Sequence, residues 1–597
     1  MKRHTSPQFF FFFNRLVAIA LAILLMAFTS TASAVTTVWS GSSAGGDFNT
    51  PGNWSAGVPG ATSAADLAIF NNTTNVNGTV SFSANANHAT VQMLSTAGTL
   101  SFDVGANQWL MTGTTTIGVA GATDAPTVKV ISGKVQSDRI ALGPVGNIRP
   151  SLELTGSTTH WHTLFTSGGA QMGLGADGSS VLVHNGAKFT GVGQALIGLA
   201  GTKNGSLTVS GVGSTLDYGN YIGVGHSRNA TSLQEATNNK FEVLDGGYAE
   251  AGMIYMAVAT GSTDNLARIS GAGSKLHLIG TTATDDGRES RVGMVGATNE
   301  LRIENGGAVT GTNTFLIGRD ATSTGNKLVL NQGSLTGTGI EVRRGQLAVT
   351  GSTIDLSEWF DESNETYKGG GITVPLASGA GSVAFNSGTI NSVNASFTNG
   401  SAFTVGDGGA TDATYFMKKD HAGNAGTHTF GNGLALASNG VLAGSGNLVG
   451  NISGAAGSSV AVGASPGLMN VTGDWDNTNM SLYVEIDDLL ASTVPGVGFD
   501  QIAVSGAFTH GGAVTIDVSE IVNPLNAAQL KLIGWGSEVG LSGGTAVSFI
   551  GGPALTYSFQ ADGLYVSVVP EPASLALCGM GLVLLSATTR RRYGAKR

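Results

Sequence analysis

The sequence predicts an all-β chain wound as a right-handed parallel β-helix with a cap at each end, and three observations lead there. The first is composition: of 597 residues, 91 are glycine, while 11% are charged and 7% aromatic. Glycine loses more backbone entropy on folding than any other residue, so this content suits many short strands joined by tight turns. Ser, Thr, Asn and Val, which favour turns and strands over helix interiors, fill much of the remainder, and very little helix is expected.

The second observation is a repeated apolar-polar-apolar segment that runs into glycine. It occurs at Val128, Val130 and Gly133; Leu152, Leu154 and Gly156; Val181, Val183 and Gly186; and Leu207, Val209 and Gly211. It returns at Phe241, Val243 and Gly246; Ala267, Ile269 and Gly271; Leu301, Ile303 and Gly306; and Leu328, Leu330 and Gly333. Such alternation turns one face of each strand inward. The third is the period: the intervals from Gly186 to Gly246, from Gly211 to Gly271 and from Gly246 to Gly306 are identical, so the unit is a pair of related modules.

One turn of each pair reads Asn185-Gly186, Gly246-Gly247 or Gly306-Gly307, and the other spans 211–214 or 271–274 as Gly-x-Gly-Ser. A second strand and an apolar-glycine element follow, at Ile117-Gly118, Leu142-Gly143, Ile197-Gly198, Ile222-Gly223, Val292-Gly293 and Ile317-Gly318, and the steps within these three successive pairs are equal. A module this small cannot bury its own apolar face, so a core arises only by stacking on neighbours. In a parallel β-helix each strand pairs with the rungs on either side at about 4.8 Å, and Leu207, Ile269 and Ile303 form inward ladders. Residues 227–239 and 281–290 are expected as projecting loops. A β-sandwich array is the alternative arrangement.

The expected organisation is a secretory signal over 1–34, an N-terminal cap and first strands over 35–115, solenoid repeats over 116–426, C-terminal rungs and a β-rich closing module over 427–568 and a sorting tail over 569–597. The cap carries Trp39, Gly41, Asp47-Phe48-Asn49, Asn53-Trp54 and Pro59, and resembles the leading segment of autotransporter-like bacterial β-helix proteins. A cap is needed because an open solenoid end is an exposed strand edge. The closing module, with His428, Ser465-Pro466-Gly467, Gly473-Asp474, Phe499-Asp500 and Val504-Ser505-Gly506, resembles that of adhesin-like exported β-helix proteins.

The N-terminus has basic Lys2, Arg3 and Arg15, a phenylalanine run at 9–13, an apolar stretch over 16–28, and small residues Ala32 and Ala34 at alternate positions. This is the pattern of a cleavable secretory signal, with cleavage expected after Ala34. The C-terminus carries Pro570-Glu571-Pro572, an apolar segment over 575–587 and the basic stop Arg590, Arg591 and Arg592. The arginines are expected to stay on the cytoplasmic side, and the segment is short for a hydrocarbon core of about 30 Å. In the order of its three parts the tail resembles a PEP-CTERM sorting signal. That resemblance implies an exosortase-type transpeptidase as partner, with Pro570, Glu571 and Pro572 as its recognition residues and only transient membrane contact through the tail. Cys578, inside the apolar segment, is expected to be inert filler.

A formal net charge of −10 gives no basic footprint for nucleic acid. A single cysteine excludes internal disulfides and multi-thiolate metal sites. His160 and His162 flank Trp161 and could begin a metal site, but no third ligand lies nearby in sequence. Asp420, His421 and His428 offer an acid and bases amid turn residues. Asn185, Asp245 and Asn305 are equivalent positions before turn glycines, Glu242 and Arg302 are equivalent in mid-strand, and Asp285, Asp286, Arg288, Glu289 and Arg291 form a charged loop. No catalytic, cofactor or metal set is expected. The expected function is that of an exported structural or adhesin-like protein of the cell surface or extracellular matrix, in contact with polysaccharide. The alternative is a polysaccharide-active β-helix lyase or hydrolase.

Overall fold

The computed structural model describes residues 34–568, apart from 42–44, 62, 72–76, 95–97, 119–125, 144–148, 165–169, 227–234, 281–287, 363, 377–380, 464–465, 488–493, 522–528, 541–544 and 552–554. Regular structure among the described residues is strand, with two single 3-10 turns, Pro51–Asn53 and Leu199–Gly201, and no α-helix. The chain divides into two compact units, Met1–Val192 and Gly193–Arg597. Each is a parallel β-helix whose described rungs stack into three parallel ladders, with long strands such as Thr99–Met111 and Thr127–Ser137 serving two ladders at once.

In the first unit one ladder runs Thr36–Val38, Leu67–Phe70, Thr90–Met93, Thr114–Ile117, Arg139–Leu142 and Ala170–Leu174, all parallel. A second runs through Thr127–Ser137, Ser151–Thr155 and Ser180–His184, which stacks Val128, Leu152 and Val181, and Val130, Leu154 and Val183, inward. The first rungs are filled by aromatic rings. Trp39 and Trp54 meet edge to face at 5.1 Å, Phe48 stacks on Phe82 at 4.6 Å, and Trp109 lies 4.8 Å from Phe102. Large rings bury much apolar area per residue, which suits an end that only one neighbouring rung covers.

The second unit repeats the arrangement with the expected period. Ser206–Ser210, Lys240–Leu244, Leu266–Ser270 and Glu300–Glu304 pair in register, and the step along the chain alternates between long, short and long. Two unequal rungs therefore make the repeated unit, and Leu207, Ile269 and Ile303 are fully buried. Asp245 and Asn305 take φ of 53° ahead of Gly246 and Gly306, the left-handed turn geometry that Asn and Asp tolerate best. One expected equivalence shifts. Leu196 pairs with Gly223 inside the strand Thr215–Val224, so the residue matching Gly198 is Gly225, with φ of 65°. The equal step from Gly198 to Gly223 misleads because the left-handed position comes further along this rung.

Inside this unit a column of buried asparagines crosses four rungs. Asn239 Nδ2 donates to Asn265 Oδ1 at 3.0 Å, Asn265 Nδ2 to Asn299 Oδ1 at 2.8 Å, and Asn299 Nδ2 to Asn326 Oδ1 at 2.9 Å. The backbone N–H groups of Asn239, Asn265 and Asn299 donate to the same oxygens, at 3.0, 3.1 and 2.9 Å. Asn265 also donates to Ala236 O, so its amide is fully used. Each column residue follows a left-handed one: Asn238, Asp264, Thr298 and Gly325, with φ between 55° and 68°. That turn aims the amide inward along the column.

The parallel ladders continue among the described residues from 427 to 550. Two of the short motifs there meet: Gly467 N–H and Glu485 N–H donate to the two oxygens of buried Asp500, at 2.6 and 2.8 Å. A Cβ on Gly467 would overlap the Gly463 Cα, so only glycine fits this approach. The last parallel strands are Leu530–Val539 and Ala546–Ile550, and on the edge of the first Gly563–Val568 pairs antiparallel, with Leu555–Gln560 antiparallel to it in turn. This reversal ends the parallel stacking.

Asn265→Ala should lower the unfolding free energy by about 3 kcal/mol, because it orphans buried donors and acceptors on both neighbouring rungs. Thr298→Asn should raise it by about 1 kcal/mol by removing a β-branched residue from a left-handed position. Denaturant titration of both variants checks this pair of opposite signs.

Burial pulls His88 and His428 from 6.5 down to about 4, and pushes Asp500 from 3.8 up to about 7 against its two N–H donors. Trp109 Nε1 donates to His88 Nε2 at 2.8 Å, so a proton added there would displace a donor. Stability from the neutral histidines is complete above pH 6.5 and lost as pH falls toward 4. Stability from protonated Asp500 is complete below pH 3.8 and lost as pH rises toward 7. Thermal melts of wild type and Asp500→Asn across that interval should therefore show the variant gaining on wild type as pH rises, and a constant difference would contradict the assignment.

Candidate ligand-facing surface

Because a strand alternates its side chains, every inward ladder carries an outward one. In the second unit register aligns Thr208, Glu242, Arg268, Arg302 and Val329 on successive rungs. Arg268 Nε pairs with Glu304 at 2.6 Å and Nη1 lies 3.8 Å from Glu242, while Arg302 pairs with Glu300. Glu242 and Arg302 thus belong to one charged stripe, two rungs apart with Arg268 between them, and its arginines are paired by Glu242, Glu304 and Glu300. Pairs this exposed contribute about 0–1 kcal/mol each, so the stripe matters more as a hydrogen-bonding surface than as a source of stability. A second outward ladder carries Asp217, Glu250, His277 and Thr310, with His277 Nδ1 at 3.0 Å from Thr310 Oγ1.

The turn positions tie rungs together. Asn185 Nδ2 donates to Thr155 Oγ1 in the first unit, and in the second Ser210 Oγ donates to Asp245 and Asn305 Nδ2 to Ser270 Oγ. His160 and His162 do share one side of their strand: Nε2 of the first and Nδ1 of the second lie 2.9 and 2.7 Å from Thr190 Oγ1. Burial, then His162 and two lysines, hold His160 below its ordinary value. Among the described residues no three His, Cys, Asp or Glu are grouped to hold a metal.

Asp420, His421 and His428 do not converge. Asp420 accepts from the N–H groups of Ala422 and Asn424 and closes a turn. His428 is interior, with Nδ1 2.9 Å from the Tyr415 hydroxyl. His421 faces out onto a feature that the repeat pattern does not announce.

That feature is a two-stranded antiparallel arm, Glu358–Asp361 with Thr366–Gly369, inserted between parallel strands Ser352–Leu356 and Gly371–Val374. Gly369 and Gly370, with φ of 87° and 73°, return the chain to its ladder, and a Cβ on Gly369 would overlap Thr338 O. The inner face anchors the arm. Trp359 is 9% exposed, the Arg288 guanidinium sits 4.5 Å from its ring centre, and Lys368 Nζ pairs with buried Asp361 at 2.7 Å. The outer face presents Phe360 and Tyr367, 46% and 44% exposed, with ring centres 5.0 Å apart. His421 stacks on Tyr367 at 3.3 Å and 14°, and its N–H and Nδ1 lie 3.1 and 3.0 Å from Glu358 Oε2. Of the expected charged loop, Glu289 and Arg291 lie instead on the ladder strand Glu289–Val292 and pair with each other, Arg288 serves this arm, and Asp285 and Asp286 lie outside the described residues.

The signal for the arm in the sequence is Trp359-Phe360 and Tyr367 on either side of a short polar stretch in an aromatic-poor chain. A search for the repeat period passes over a single insertion. Pro570, Glu571, Pro572, Cys578, Arg590, Arg591, Arg592 and Ala32 lie outside the described residues, and Ala34 is exposed. No protein-family model, curated protein or solved structure matches the chain.

Trp359→Ala removes the anchor and its cation-π contact, worth about 1–2 kcal/mol. Limited proteolysis should then cut within 358–369 at least tenfold faster than in wild type while thermal melting of the remainder changes little.

Proposed function

We propose that this chain is an exported, non-catalytic structural or adhesin-like protein of the cell surface or extracellular matrix, whose outer ladders contact polysaccharide. It passes through the secretion machinery, rests transiently in the membrane by its tail, and is processed by an exosortase-type transpeptidase at Pro570-Glu571-Pro572. The observation that carries the surface role is the register of outward side chains: Thr208, Glu242, Arg268 and Arg302, and Asp217, Glu250, His277 and Thr310, each repeat one rung apart. A repeating polymer meets such a surface through many weak, water-bridged hydrogen bonds. The address rests on the order of motif, short apolar segment and arginines in the tail. No helix among the described residues is long and apolar enough to cross a membrane.

Intact-mass analysis of protein from its native cells tests the sorting step. Wild type should lack the segment after the motif, whereas Glu571→Ala should retain it in the membrane fraction. Retention in both would overturn the sorting assignment. Release of reducing or unsaturated sugars from polysaccharide would overturn the non-catalytic one.

A further inference from the structure

We propose that the outer face of the arm, Phe360 and Tyr367 with Glu358 and His421, is a stacking platform for a pyranose ring of a neutral polysaccharide. This rests on the polysaccharide-contact reading above and assigns it a place.

A pyranose has a flat face of C–H groups and a rim of hydroxyls. Its C–H face is complementary to an aromatic ring, whose π face is electron-rich and apolar. Phe360 and Tyr367 present two such rings inclined at 54° and 46% and 44% exposed, with His421 stacked over one face of Tyr367. Hydroxyls need acceptors and donors, and the half-exposed His421 imidazole, stacked on Tyr367 and held by the Glu358 carboxylate, lies next to the rings. The groups are held before any ligand arrives. His421 is fixed by two contacts to Glu358, it fixes the plane of Tyr367, and Trp359 and the Lys368–Asp361 pair lock the opposite face of the arm. Preorganisation of this kind removes ordering costs from binding.

Size decides between a sugar and a protein partner. Two rings a little under half exposed offer about 200 Å² of apolar surface, whereas a stable protein interface needs about 800 Å² on each side. One or two sugar rings match the smaller area. Charge decides which sugar: with a net charge of −10 on the chain and a carboxylate in the platform, a polyanionic glycan is repelled and a neutral one is not.

Native affinity electrophoresis of the full mature protein, in gels containing barley β-glucan, galactomannan or dextran, or the polyanion alginate, tests this. Wild type should be slowed by at least one neutral glycan and not by alginate. Phe360→Ala and Tyr367→Ala should each weaken retention about 5- to 10-fold, as loss of a central aromatic contact does. Tyr557→Ala, which removes an aromatic 41% exposed on another strand, should behave as wild type. Retention that survives both arm substitutions would overturn the platform and leave the polysaccharide reading standing. Retention by alginate alone would overturn the neutral-glycan assignment. No retention of wild type in any gel would overturn the platform and the polysaccharide reading together.

Discussion

Parallel backbone pairing between successive rungs is the constraint on which the rest depends. A rung of three short strands with glycine turns has no core of its own, so its apolar residues are buried only when the next rung lies in register on top of it. A slip of a single position would turn Leu207, Phe241, Ile269 and Ile303 outward together, and this is why the registers hold even where long and short rungs alternate. The same alignment that builds the inner ladders places polar side chains at a fixed repeat outside, so the outward surface follows directly from the core.

The turns must then deliver each strand to its place without leaving buried backbone unpaired. The asparagine column solves this on one corner of the second unit: the amides of Asn239, Asn265, Asn299 and Asn326 bond to one another and also accept the backbone N–H groups that the turn leaves free. A satisfied buried polar chain is stable and specific, whereas a broken one strands several groups at once. At the far end Asp500 fills a comparable role with two backbone N–H donors. The arm departs from this scheme. It leaves the ladders, forms its own antiparallel pair and commits its aromatic residues to one anchor and two exposed rings.

Much of the fold is legible in the sequence because its signals are periodic. Alternating apolar residues, turn glycines and their constant interval depend on local geometry, and the positive φ of Asn185, Asp245 and Asn305 matches the turn role read from their positions. The shift from Gly223 to Gly225 shows the limit, since spacing alone does not say which of two nearby glycines takes the left-handed conformation. The asparagine column escapes a sequence reading because its members lie a full rung apart at unequal intervals and look like ordinary turn asparagines until the rungs are stacked. The arm escapes it because it occurs once, and because His421, which completes its outer face, lies far away in sequence beside Asp420 and His428.

If the outward surface is built by in-register stacking, residues one rung apart must be near neighbours and residues two rungs apart must not. Cysteines placed at Glu242 and Arg268, in a chain whose Cys578 is replaced by serine, test this by the rate of disulfide formation followed by mass spectrometry. Strand partners are about 5 Å apart at their Cα atoms, within disulfide reach, while positions two rungs apart are about 10 Å apart and beyond it. Rapid bridging of 242 with 268, and none of 242 with 302, is the result expected. Equal rates for the two pairs, or bridging of the distant pair alone, would contradict the stacked-rung account.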